Sequence, residues 1–136
     1  MKEKHLSLLR AANEARNLAY APYSGFTVGA AILSSDGRIF CGANIENSSF
    51  PAGLCAERVA LSAYVMGGGD AVAIAVVGGE AGKEATDVCP PCGICRQAMI
   101  EHFRPDTEIV LGVGDECVVY TISELLPNAF SGGNLK

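Results

Sequence analysis

The chain has 136 residues, enough to bury most of its unfolded surface around one core, so one domain spanning 1–136 is expected. Hydrophobic residues make up 49% and charged residues 18%, which excludes a disordered chain, and no apolar run reaches the ~18 residues that cross a bilayer. The net charge of −5, with ten Lys and Arg scattered along the chain, argues against nucleic acid or a membrane as partner and for a small uncharged ligand.

Met1 to His5 lead into an amphipathic pattern rather than a signal-peptide core, so a cytoplasmic location is the expectation. Leu6, Leu9, Ala12, Ala15, Leu18 and Ala19 recur at three- and four-residue spacing and predict a helix over 3–20, stopped by Pro22. Strands are predicted over 26–33 and 38–43, around an Asp36-Gly37 hairpin signal. Residues 44–53 read as a loop, and 54–66 as a helix ended by Gly67, Gly68 and Gly69. The run from Ala71 to Val77 is apolar on both faces, as a central strand is, and 78–91 read as a second loop. A helix over 93–103 ends at Arg104-Pro105, and strands follow over 108–113 and 117–121. Thr121 and Glu124 have the spacing of a capping box for a short last helix, ended by Pro127. This order predicts an α/β fold, a three-layer α/β/α arrangement with helices on both faces of one mixed five-stranded sheet.

The chemistry concentrates in Leu54-Cys55-Ala56-Glu57-Arg58 and Pro91-Cys92-Gly93-Ile94-Cys95. Cys92 and Cys95 are i and i+3, one face of a helical turn, so both sulfurs can reach one ion. Each motif opens a predicted helix, where free N–H groups and the helix dipole favour thiolate. Three protein ligands leave a fourth position on a tetrahedral zinc open, as catalysis requires. Glu57 stands two residues from Cys55, where it is badly placed as a ligand and well placed to move protons to and from a metal-activated water. A first ligand, a Glu two residues on and a later Pro-Cys-x-x-Cys form the pattern of zinc-dependent base deaminases. Three thiolates weaken zinc as a Lewis acid, and Arg58, next to Glu57, is expected to hydrogen-bond the sulfurs and restore some of that strength.

Cys89-Pro90-Pro91-Cys92 is a second Cys-x-x-Cys. Two readings therefore stand: an open Cys55, Cys92, Cys95 site, or a closed four-cysteine site in a noncatalytic zinc module. Cys41 and Cys117 read as small buried residues of strands, His5 as a surface residue and His102 as a helix-end residue.

With these motifs stand Ala21-Pro22-Tyr23-Ser24-Gly25-Phe26-Thr27-Val28-Gly29-Ala30-Ala31, Gly42-Ala43-Asn44-Ile45-Glu46-Asn47, Arg96-Gln97 and Glu124-Leu125-Leu126-Pro127. Together they cover nearly the whole chain, which resembles cytidine deaminases of the small homotetrameric kind with a three-cysteine zinc site. The resemblance implies that Cys55, Cys92 and Cys95 bind one Zn2+ per chain and that Glu57 is the catalytic proton shuttle. It implies that Asn44 and Glu46 hold the ribose 3′-hydroxyl, that Phe26 packs on the pyrimidine and that the Ala56 N–H meets the base carbonyl. Phe130 would reach into a neighbouring subunit of a homotetramer. The implied reaction turns cytidine and deoxycytidine into uridine and deoxyuridine with release of ammonia. Phe50 stands where many members have Tyr, and Cys89 adds a thiol beside the ligand pair. The nearest rival substrate class is an aminoglycosyl nucleoside of the blasticidin S type, against which Asn44 and Glu46 argue.

Overall fold

The computed structural model describes residues 2–136. Its α-helices and strands follow the predicted order: α1 (Glu3–Ala15), β1 (Phe26–Ser34), β2 (Ile39–Ala43), α2 (Ala56–Gly67), β3 (Ala71–Glu80), α3 (Gly93–His102), β4 (Glu108–Val113), β5 (Glu116–Thr121) and α4 (Ile122–Leu125). The strands form one five-stranded sheet in the order β2-β1-β3-β4-β5. Among the strands of the described residues, only β3 and β4 pair in parallel. A parallel neighbour needs a crossover, and α3 supplies it.

Alternation along β3 sends side chains to two different cores. Ala73, Ala75 and Val77 join Leu8, Leu9 and Ala12 of α1 on one face. Ile74 and Val76 join Ala56, Ala60 and Leu61 of α2 and Cys95 and Met99 of α3 on the other. Burying each large aliphatic side chain stabilises the fold by roughly 1.5–3 kcal/mol relative to exposure. The layers are therefore α1, then the sheet, then α2 and α3, and both faces of the apolar β3 are covered as its sequence requires.

Two glycines set how closely the helices lie. A Cβ on Gly29 would stand 1.9 Å from the Ala12 carbonyl oxygen of α1. On the opposite face, one on Gly42 would stand 2.4 Å from the Ala60 nitrogen and 2.7 Å from the Ala56 oxygen of α2. The first turn of α2 thus rests directly on β2. Among the described residues no helix is long and apolar enough to cross a membrane.

Several details depart from the sequence reading. The first α-helix ends at Ala15, not residue 20, and tightens into a 3-10 turn over Arg16–Leu18. Arg16 is the cause: its buried guanidinium donates to Asn13 Oδ1 and to the carbonyl oxygens of Thr27, Glu80 and Lys83 at 3.0–3.1 Å. Those bonds tie the helix end to β1 and to the far end of β3. β3 runs on to Glu80, because Gly78 and Gly79, read as loop, pair with Val28 and Thr27. His5 is buried rather than on the surface, its Nε2 lying 3.0 Å from Glu108 Oε1. Cys41 is exposed rather than buried, since β2 is an edge strand, and Cys117 is half-buried. The capping box is present: Thr121 Oγ1 accepts from the Glu124 N–H at 3.3 Å, and Glu124 Oε1 accepts from the Thr121 N–H at 2.8 Å.

Candidate active site

Cys55 and Cys92 are the N-cap residues of α2 and α3, each with extended backbone and no side-chain capping bond. Their sulfurs are thereby free to face each other across the gap between two helix N-termini. Cys95, one turn into α3, brings the third. The Cys55 and Cys92 Sγ atoms are 3.9 Å apart, those of Cys92 and Cys95 3.6 Å, and all three lie within 4.8 Å of one another. Tetrahedral zinc with sulfur at ~2.3 Å requires sulfurs about 3.8 Å apart, so the cluster already has the spacing of the ion it would hold. Cys89 stands outside it. Its sulfur packs where a Cβ on Gly78 would lie, and the thiol is pushed up to about 11, chiefly by burial. Of the two Cys-x-x-Cys pairs, the structure clusters Cys92 with Cys95, leaving three sulfurs instead of four.

The electrostatics suit a cation. Hydrogen bonding from Cys95 and from Arg58, whose Nη2 lies 3.6 Å from the Cys55 sulfur, lowers the Cys55 thiol to about 5. Cys95 is pushed the other way, because it shares its proton with Cys55 and is buried. Without a metal, one thiolate suppresses the next; a divalent ion removes that conflict. The soft donors, the spacing and the adjacent guanidinium all fit zinc. Glu57 is 5% exposed, and burial first, with the Cys55 thiolate adding to it, raises its carboxyl to about 7. A carboxyl balanced near neutrality both accepts and returns a proton, as general acid–base work requires.

Cys55, Cys92 and Glu57 open onto a cavity of about 600 Å³, also lined by Val28, Asn44, Glu46, Phe50, Ala56 and Cys89, with Cys95 buried behind them. Asn44 and Glu46 were legible only through the family resemblance. Asn44 Oδ1 accepts from the Val28 N–H at 2.8 Å, and its Nδ2 donates to the Phe26 carbonyl at 2.9 Å. That uses one lone pair and one hydrogen, leaving one of each for a ligand. Glu46 Oε1 accepts from the Tyr23 and Ser24 N–H groups at 2.9 and 3.1 Å, and Oε2 accepts from the Ser24 hydroxyl. The Ser24 hydroxyl first, then those two N–H groups, hold the Glu46 carboxyl below its usual range. Tyr23 and Ser24 had been given no role. Their signal was the turn ending at Gly25, whose φ of 67° closes it beneath Glu46.

Of the other expected site residues, Ala56 lines the cavity, whereas Phe26 and Phe130 lie elsewhere. Phe26 does not line the cavity; it is 42% exposed, with its ring against Gly78. Ala56 is fully buried at the first position of α2, and the Cys55 carbonyl takes the N–H groups of Arg58 and Val59. Phe130 is exposed and away from this chain's own cavity, its carbonyl accepting from Gln97 Nε2 at 2.8 Å.

Comparison with known proteins gives the site its family. The family model described as "Cytidine and deoxycytidylate deaminase zinc-binding region" matches residues 2–112. The chain is 47% identical over 130 residues to a cytidine deaminase of Halalkalibacterium halodurans, covering 94% of this chain and 95% of that protein. It is 41% identical over 120 residues to one of Mycobacterium tuberculosis, covering 88% and 84%. The crystal structure of cytidine deaminase from Burkholderia pseudomallei superposes with a TM-score of 0.83 at 43% identity, covering 96% of this chain and all of that one. The chain belongs to the cytidine and deoxycytidylate deaminase family.

Proposed function

We propose that this member of the family deaminates cytidine and deoxycytidine hydrolytically, giving uridine and deoxyuridine plus ammonia in pyrimidine salvage. The observation that carries this reading is the three-sulfur cluster at zinc spacing, with a buried carboxylate two residues from its first member, and with Cys55, Cys92 and Glu57 lining one cavity.

Cys55, Cys92 and Cys95 would hold one zinc per chain, leaving a coordination position open toward the cavity. Zinc, when bound, supplies the Lewis acidity that makes water a nucleophile near neutral pH. Glu57 takes a proton from the attacking water and passes it to N3, then takes the proton of the resulting C4 hydroxyl and passes it to the amino group, which leaves as ammonia as the C4 carbonyl forms. Burial raises this carboxyl to about 7, the range in which one group can both take and return a proton. Arg58 draws charge from the cysteine sulfurs through its hydrogen bond to Cys55. Asn44 and Glu46 offer a donor and an acceptor to the ribose 3′-hydroxyl, with Glu46 held ionised by its turn. The Ala56 N–H, at a helix start, meets the base carbonyl. Phe26 reaches the pyrimidine by swinging its exposed ring off Gly78.

Residues 1–136 read as one catalytic domain acting in the cytoplasm as a homotetramer, without nucleic acid or membrane. Leu18, Tyr20, Phe50 and Phe130 are each more than half exposed, an apolar excess that subunit contacts would cover, and Phe130 is free to serve a neighbour.

The test is a deamination assay on zinc-loaded protein, following uridine by chromatography with blasticidin S alongside. Cytidine turnover, lost by at least about 10³-fold in Glu57→Gln with zinc retained, is the expected result. A Gln variant of undiminished rate removes the proton shuttle; turnover of blasticidin S alone removes the ribose assignment.

A further inference from the structure

The three sulfurs are not held equally. Cys95 is fully buried in the core beneath α3, and Cys55 is hydrogen-bonded by Arg58. Cys92 is exposed, and among the described residues its sulfur's hydrogen-bond contacts are the other two sulfurs. Among the described residues nothing else hydrogen-bonds its side chain, so its position depends on the backbone that carries it.

That backbone is gripped by a residue to which the reaction gives no part. Arg96 sits on the first turns of α3, and helical side chains lean toward the N-terminus. Its Nε donates to the Pro91 carbonyl oxygen at 2.8 Å, and Nη1 donates to the Leu125 carbonyl oxygen at 2.9 Å. Pro91 is fully buried, and its carbonyl belongs to the peptide joined to Cys92, so the first bond fixes the plane from which Cys92 departs. Leu125 closes α4, where the last carbonyls have no helical partner and a guanidinium meets both the lone pairs and the dipole. One rigid, always-charged fork therefore spans the ligand turn and the end of α4.

We propose that Arg96 is a positioning residue that holds Cys92 in its ligating place by clamping the Pro91–Cys92 peptide to the end of α4. This rests on the zinc site of the proposed function. Met in its place would keep the apolar stem but leave two carbonyls unbonded, and Lys would satisfy one of them. Gln97 is the natural control, since it ties the neighbouring Phe130 carbonyl and does not touch Pro91.

The experiment measures zinc release from purified protein to a colorimetric chelator, at a temperature where circular dichroism shows every variant folded. Arg96→Met should release zinc about 10–100-fold faster than wild type, Arg96→Lys at an intermediate rate, and Gln97→Ala at the wild-type rate. Release from Arg96→Met at the wild-type rate overturns the proposal, as does equal acceleration in Gln97→Ala. If Arg96→Met does not fold, Arg96→Lys decides, and a wild-type rate there is the overturning result. A wild type that holds zinc yet leaves cytidine unchanged defeats the proposed reaction and spares this inference; a wild type that binds no zinc defeats both.

Discussion

Gly42→Ala should damage catalysis although Gly42 itself does not line the cavity. A Cβ there would lie 2.4 Å from the Ala60 nitrogen, 2.7 Å from the Ala56 oxygen and 3.0 Å from the Ala60 Cα, all backbone atoms of α2. Comfortable contact begins at about 3.5 Å, so the first turn of the helix must withdraw by roughly 1 Å. Cys55 and Glu57 travel with it, while Cys92 and Cys95 stay with α3. A metal site tolerates ligand errors of about 0.2 Å, and a 1 Å misplacement of catalytic groups can cost on the order of 10²-fold in rate. Overpacking itself should destabilise by about 1–3 kcal/mol. Gly112→Ala is the matched control: its Cβ would strike Leu9 Cδ2 at 2.2 Å, a mobile side-chain end on the α1 face, away from the site. Both variants should lose stability in thermal unfolding. Only Gly42→Ala should lose kcat by about 10²-fold and bind zinc more weakly below its transition. Full activity in Gly42→Ala, or an equal loss in Gly112→Ala, would show that the helix seat does not place the chemistry.

Cys89→Ala should keep one zinc per chain and turn over cytidine within about threefold of wild type, because Cys89 lies outside the sulfur cluster. Loss of zinc from that variant, measured by metal analysis, would restore the closed four-cysteine site. Glu108 is held below its usual range by His5 first and then Lys4, with His5 Nε2 at 3.0 Å and Lys4 Nζ at 2.9 Å. A carboxylate lowered on folding adds stability that is complete above its unfolded value near 4.5 and is lost as pH falls through its folded value below that. Wild type should therefore melt about 3 °C above Glu108→Gln at pH 7, and the gap should narrow as pH falls below 4.5; a gap that does not narrow with acid contradicts the assignment.

The local features were legible because they depend on short spacings. Cys92 and Cys95 at i and i+3, the Asp36-Gly37 turn, the Thr121–Glu124 box and the doubly apolar β3 each carry their geometry within a few residues. The three-ligand zinc motif and its nearby Glu57 followed from the same kind of reading. The roles of Asn44 and Glu46 did not: side-chain chemistry alone makes them loop polars, and only resemblance to a family singled them out.

Packing over long separations decided the rest. Whether Cys89 or Cys95 joins Cys92 turned on Gly78, which gives the Cys89 sulfur a niche against β3 away from the cluster. Burial brings Glu57 near neutrality, and the turn of α2 that carries it is seated on β2 at Gly42. The end of α1 was set by carbonyls on β1, on β3 and just past it converging on Arg16, and the burial of His5 by Glu108, 103 residues away in sequence. Residue type and spacing specified which groups could do the chemistry. Distances between elements remote in sequence, set by how closely backbones approach, decided which of them meet and in what charge state.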